Sequence, residues 1–134
     1  MLASRDVTTR TAQWIAGVED PQRITYVGCD ESGAIVGFIS AVLLEPADRF
    51  DAYLQTLYLI ESAARQRLGT RLLRALADDL VNRSKRSLAL RVLAQNPARA
   101  FYERLGARLV PEGIAQDAGT FDDVVYAFDD LTLL

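Results

Sequence analysis

Eleven consecutive residues, Asn96-Pro97-Ala98-Arg99-Ala100-Phe101-Tyr102-Glu103-Arg104-Leu105-Gly106, constrain this chain more tightly than any other stretch. Asn96 can cap a helix, and Pro97 suits its first turn, where a missing N–H costs nothing. Ala98, Phe101, Tyr102 and Leu105 recur at i, i+3, i+4 and i+7, which is one face of that helix. Gly106 supplies a left-handed stop. The pattern predicts a short amphipathic helix over Asn96–Leu105 with Tyr102 on its buried side. A packing tyrosine and a reactive one satisfy it equally.

At 134 residues the chain is expected to form a single domain, residues 1–134, with a core that needs no metal or disulfide staple. No apolar run approaches a membrane span, and the first residues lack a signal-peptide pattern. Cys29 is the one cysteine, so no internal disulfide can form, and a reducing cytoplasm is the expected compartment. Cys29 ends a strand-like run and reads as a small buried hydrophobe. The absence of histidine excludes Ser–His and Cys–His catalysis and histidine-based metal sites within this chain, and no metal is expected.

The net charge of −3 is unevenly spread. Eleven basic residues and three acidic ones between Arg65 and Arg108 give a net of +8 and leave −11 for the rest. Solvated helix faces account for much of this, and a polyanionic ligand on the middle segment would also fit. Nucleic acid does not, because the overall balance is acidic and aromatics are not interleaved with the arginines.

Periodicity predicts a helix over Thr8–Gly17 with Trp14 as a packing residue, then strands at Arg23–Cys29 and Ala34–Leu44 joined by the turn Asp30-Glu31-Ser32-Gly33. Ala52–Ile60 reads as a strand with Leu54, Thr56, Tyr58 and Ile60 on one face and Tyr53, Gln55, Leu57 and Leu59 on the other. A helix from Arg67 to Arg83 follows, with Leu72, Leu76 and Leu80 in its buried stripe. Leu88–Leu93 is an apolar strand suited to the middle of a sheet. After the Asn96–Leu105 helix, Ala107–Val110 and Asp123–Phe128 form a final antiparallel pair, with a polar loop from Pro111 to Asp122. The order α-β-β-β-α-β-α-β-β implies a mixed α/β sheet with helices on both faces.

The Asn96–Gly106 segment, placed after the Leu88–Leu93 strand, resembles the C-terminal signature of the GNAT-type N-acetyltransferase superfamily. A second segment, Glu61-Ser62-Ala63-Ala64-Arg65-Gln66-Arg67-Leu68-Gly69-Thr70, runs from a strand into a helix. Exposed N–H groups and the helix dipole make such a start an anion site. It is similar to the superfamily's pyrophosphate loop, Gln/Arg-x-x-Gly-x-Gly/Ala. Gly69 fits the last position, while Ala64 replaces the Gln/Arg and Arg67 the first glycine. The resemblance spans Arg23–Phe128. It implies a mixed, mostly antiparallel GNAT-like sheet that lacks the superfamily's usual first strand and helix.

The resemblance also implies acetyl-CoA as co-substrate, held by Arg65, Gln66, Arg67, Leu68, Gly69 and Thr70, with Asn96 contacting its arm. Backbone groups of Leu57 and Leu59 would align the pantetheine and polarise the carbonyl, and Tyr102 would protonate the leaving thiolate. Many relatives carry a glutamate near the start of the Ala52–Ile60 strand as base; this chain has Tyr53 there, with Asp51 nearby. The implied activity is N-acetyl transfer to a primary amine of a small molecule or protein. The alternative is a non-catalytic coenzyme A-binding or protein-interaction member of the fold. Acidic Glu112, Asp117, Asp122 and Asp123, around a loop that borders the acceptor side in relatives, suit a cationic acceptor. If Arg23–Cys29 is a bare sheet edge, its sparse charge invites pairing in a homodimer.

Overall fold

The structure is a computed structural model and describes residues 8–11, 21–30, 32–60, 67–111 and 123–134. In chain order the elements are β1 (Thr8–Thr11), β2 (Arg23–Cys29), β3 (Ile35–Leu43), β4 (Ala52–Leu59), α1 (Leu68–Asn82), β5 (Leu88–Leu93), α2 (Ala98–Arg104), β6 (Arg108–Val110) and β7 (Asp123–Phe128), with a 3-10 turn at Leu131–Leu133. Seven strands form one sheet in the order β1-β2-β3-β4-β5-β7-β6. All neighbours are antiparallel except β4 and β5, between which α1 carries the chain back along the sheet.

The expected strands and helices from Arg23 onward form within a residue or two of their predicted ends. The start of the chain differs. Thr8–Thr11 is a strand, not the first turn of a helix, and pairs from Thr8 with Cys29 to Thr11 with Tyr26. Three threonines in four residues suit the pleated backbone better than a helix. The sheet therefore has a strand outside β2, and the bare edge on which the homodimer expectation rested is covered along Tyr26–Cys29. Trp14 and the rest of the expected helix lie outside the described residues.

One face of the sheet carries the main core. Ile24, Ile39, Leu54, Leu90, Tyr126 and Phe128 meet Leu68, Leu72, Leu73, Leu76 and Leu80 of α1 and Tyr102 of α2. Both described helices lie on this face. The opposite face holds smaller clusters, around Phe50, Ala89 and Val125 and around Val27 and Cys29. Cys29 is buried there beside Phe38, as a small hydrophobe. Truncating a fully buried leucine of α1 such as Leu72 or Leu76 would cost about 2–5 kcal/mol.

Candidate active site

β4 is where the sheet opens. Its parallel pairing with β5 covers only Ala52–Leu54 against Leu88–Leu90, although β4 continues to Leu59 and β5 to Leu93. The cause is visible on its other side. Opposite β3, Ser40 faces Thr56 and Ala41 faces Leu54, so Gln55 is an extra, bulged residue. A bulge bends and twists its strand. Beyond it β4 leaves β5, and its backbone edge there has no strand partner.

The bulge also corrects the expected alternation. Ala52 and Leu54 before it, and Leu57 and Leu59 after it, all turn to the helical face. Tyr53 faces the opposite cluster, and the Tyr58 ring lies tilted against Phe38 with centroids 5.9 Å apart. The apolar spacing Ala52, Leu54, then Leu57, Leu59 carries the signal of a phase slip. Strict period-two counting passes over it.

The opening leads into a cavity of about 440 Å³. β4 contributes Leu57 and Leu59; the start of α1 contributes Arg67, Gly69 and Thr70; α2 contributes Ala98, Phe101, Tyr102 and Arg104. Gly37 on β3 draws β4 close, since a Cβ there would lie 2.7 Å from Leu59 Cδ2 and 2.8 Å from the Tyr58 carbonyl oxygen. Gly69 does the same for α1: a Cβ would meet both Leu59 Cδ1 and Phe101 Cζ at 3.3 Å. The glycine thus lets three elements converge beneath the cavity.

The N-terminus of α1 has no side-chain cap and no acidic residue in its first turn. Its leading N–H groups are therefore free donors at the positive end of a fifteen-residue helix. Arg67 precedes them with φ +61° and ψ +20°. That left-handed conformation costs a residue with a Cβ roughly 1–2 kcal/mol. It gives a physical reason for the glycine of the pyrophosphate-loop pattern at this position, and Arg67 is exposed there.

α2 is built in the opposite manner. Asn96 Oδ1 accepts from the Ala98 N–H at 2.8 Å, which closes the helix start. At the other end the Gly106 N–H donates to the Glu103 carbonyl at 3.1 Å and the Ala107 N–H to the Tyr102 carbonyl at 3.0 Å. With Gly106 at φ +105°, this is a Schellman termination. Tyr102 is the one buried residue of α2, 5% exposed, and Phe101 packs edge-on against it at 5.1 Å. Burial pushes the Tyr102 phenol up to about 12.

Among the residues expected to bind, Leu57, Leu59, Arg67, Gly69, Thr70 and Tyr102 come together at the cavity. Leu68 is fully buried in the core instead. Asn96 is not in the lining, and its side-chain oxygen serves the helix cap. Arg65 and Gln66 lie outside the described residues, as do Glu112, Asp117 and Asp122 of the acidic loop; Asp123 begins β7. Ala98, Phe101 and Arg104 were not anticipated as lining residues, although Ala98 and Phe101 share the apolar face of Tyr102.

Neither residue near the expected base position is placed for that role. Asp51 accepts from the Arg86 N–H at 2.8 Å and the Ser87 N–H at 3.3 Å, which clamps the closed end of the β4/β5 pair. Tyr53 sits on the other face of the sheet with the Arg91 guanidinium 5.9 Å from its ring. Among the described residues, no group of three His, Cys, Asp or Glu side chains could hold a metal ion. None of the helices there is long and apolar enough to cross a membrane.

The mixed sheet thus splays at its parallel pair, with a helix start and a buried tyrosine at the opening. Residues 3–107 match the model of the Acetyltransferase (GNAT) family, and the chain belongs to that family. It is 32% identical over 93 residues to the uncharacterized N-acetyltransferase YuaI of Bacillus subtilis strain 168, covering 69% of this chain. The chain spans about half the length of that relative, 51%. Its fold is shared with a Klebsiella pneumoniae protein named as an acyl-CoA N-acyltransferase (TM-score 0.77, 22% identity, 91% of this chain and 96% of that one). It is shared too with the PaiA N-acetyltransferase of Thermoplasma acidophilum, solved with coenzyme A (TM-score 0.68, 16% identity, 87% and 65%). Acetyl-CoA is the co-substrate of the family.

Proposed function

We propose that this chain moves an acetyl group from acetyl-CoA to a primary amine of a small molecule or protein. The observation that carries the reading is the meeting, in one cavity, of an unpaired β4 edge, an uncapped helix start and a buried, protonated Tyr102. These features suit a long donor with an anionic tail. Among the described residues the two charged ones in the lining, Arg67 and Arg104, are both basic. Free N–H groups of α1 would receive phosphate oxygens, the open edge of β4 at Leu57–Leu59 would hold the amide-bearing arm, and Phe101 with the two leucines would cover its apolar end.

When bound, acetyl-CoA supplies an activated thioester. In the transfer the amine nitrogen forms a bond to the acetyl carbon, and the carbon–sulfur bond breaks with its electron pair on sulfur. Tyr102 donates toward that sulfur. A phenol raised to about 12 stays protonated at neutral pH, so the donor is always loaded. Its acidity is low against an ordinary thiol, whose pKa is about 8.5. Tyr102 therefore acts first as a hydrogen bond to the developing negative charge. The proton follows as Leu57, Leu59 and Phe101 exclude water and raise the basicity of the thiolate. Among the described lining residues none is a carboxylate; the proton lost by the amine passes to water, and Tyr102 regains its own from water.

The lack of a carboxylate among the described lining residues favours a second reading, a non-catalytic member that binds coenzyme A or a partner protein through this scaffold. Calorimetric titration with acetyl-CoA, followed by thiol release from acetyl-CoA across a panel of primary amines, separates the two. Binding with amine-dependent thiol release supports the transferase; binding with no release from any amine supports the second reading; no binding overturns both placements of the donor.

A further inference from the structure

α2 has seven residues, too few for a helix to hold itself in place by its own hydrogen bonds. Tyr102 is its one buried residue, with Ala98, Phe101 and Leu105 half-buried against the core. That apolar contact leaves its rotation loosely set, and among the described residues one polar assembly reaches it from the sheet. Tyr126 of β7 is 1% exposed and lies opposite Leu90 of β5. Its hydroxyl donates to Glu103 Oε2 and accepts from Arg99 Nε at 3.0 Å. Arg99 also donates through Nη1 to the Ala94 carbonyl at 2.7 Å, in the connection between β5 and α2. Its guanidinium lies 5.7 Å from the centre of the Tyr126 ring. Arg99 and Glu103 are one turn apart, and Tyr102 is next to Glu103.

We propose that Tyr126 is a positioning residue for Tyr102: its buried hydroxyl, held between Arg99 and Glu103, sets the rotation of α2 that keeps the Tyr102 side chain turned into the cavity. Two hydrogen bonds to residues i and i+4 of one helix fix an angle about the helix axis, which apolar contact alone does not. Charged partners on both sides strengthen each bond. The role of Tyr102 in transfer rests on the reading above; its orientation by Tyr126 does not.

The test follows the ionisation of Tyr102 by NMR, with tyrosine labelled at the phenolic carbon and Tyr102→Phe used to assign its signal. In the parent, Tyr102 ionises near 12. With Tyr126→Phe, or with Glu103→Ala at an exposed position that leaves the core untouched, the midpoint is expected to fall toward the ordinary tyrosine value as water reaches a loosened α2. Glu103→Gln retains an acceptor oxygen and should restore the parent value. Unchanged midpoints in both Tyr126→Phe and Glu103→Ala would overturn the proposal. With an amine that supports thiol release, Tyr126→Phe should lower turnover about tenfold with the KM for acetyl-CoA within about twofold of the parent. That loss should vanish in the Tyr102→Phe background; a full additional loss there would also overturn the proposal. If Tyr102→Phe itself turns over like the parent, the acid reading fails, while the titration still decides the orientation.

Discussion

The two helices that border the cavity end in opposite ways. α1 begins uncapped, behind an arginine in a left-handed conformation. α2 is closed at both ends, by the Asn96 side chain before it and by the Gly106 termination after it. The same free backbone groups that would weaken a short helix are an asset at α1, because fifteen residues, seven of them buried, hold that helix without a cap. α2 has no such reserve. The difference teaches where this fold can leave polar groups open for a ligand: on the element whose stability comes from packing, not on the one whose stability comes from its caps.

The sharpest test of that contrast is Tyr102→Phe, which leaves both helices intact and removes one oxygen from the locked one. Turnover should fall by about 10²–10⁴, the span of general acid catalysis, while acetyl-CoA affinity stays near that of the parent; steady-state rates and calorimetry on the same samples decide it. Parental turnover would return Tyr102 to packing alone.

The buried phenol also makes a prediction for stability at high pH. In the unfolded chain it ionises near 10, in the folded one near 12. Its contribution is complete below pH 10 and is lost as pH rises to 12, because the unfolded state then holds fewer protons. Denaturant melts at pH 9.5 and pH 12 should show the parent losing roughly 2–3 kcal/mol more than Tyr102→Phe over this range.

At the open helix, Gly69→Val would push Leu59 and Phe101 apart where a Cβ alone already sits at 3.3 Å. Such overpacking costs about 1–3 kcal/mol, and acetyl-CoA affinity should fall at least tenfold as the lining shifts. An unchanged titration would show that the cavity is not the donor site. At the locked helix, Gly106→Ala places a Cβ at φ +105° and should cost about 1 kcal/mol in a melt, with nothing to clash against in the structure.

The smallest effect has two signs. Arg67→Gly relieves a left-handed side chain and should leave stability equal or raised by up to about 1 kcal/mol. It also takes a basic group from the lining, so acetyl-CoA affinity should drop a few-fold, less so at high salt. A variant that gains stability and affinity together would show that Arg67 only crowds the site.

Much of this was legible in the chain. The cap at Asn96, the stop at Gly106, the apolar face of Ala98, Phe101 and Tyr102 and the strand Leu88–Leu93 all rest on residues within a few positions of one another. Leu57 and Leu59 were identified as site residues by resemblance, yet their face was misjudged, since the Gln55 bulge is defined by pairing with β3 and not by β4 itself. Thr8–Thr11 misled for the same reason: its backbone bonds go to Tyr26–Cys29, well down the chain. Asp51 lies near the expected base position in sequence, and its bonds to Arg86 and Ser87 show a clamp instead.

By itself, then, the sequence determined the family, the helix ends and the alternation of strands and helices from Arg23 onward, because caps, turns and apolar periods act over one or two turns of chain. Only the tertiary structure decided where β4 parts from β5, that Arg67 stands in a left-handed conformation, and that Tyr126 reaches Arg99 and Glu103 from another strand. Each of those depends on groups brought together by the sheet. Their partners lie tens of residues apart, and no local pattern records them.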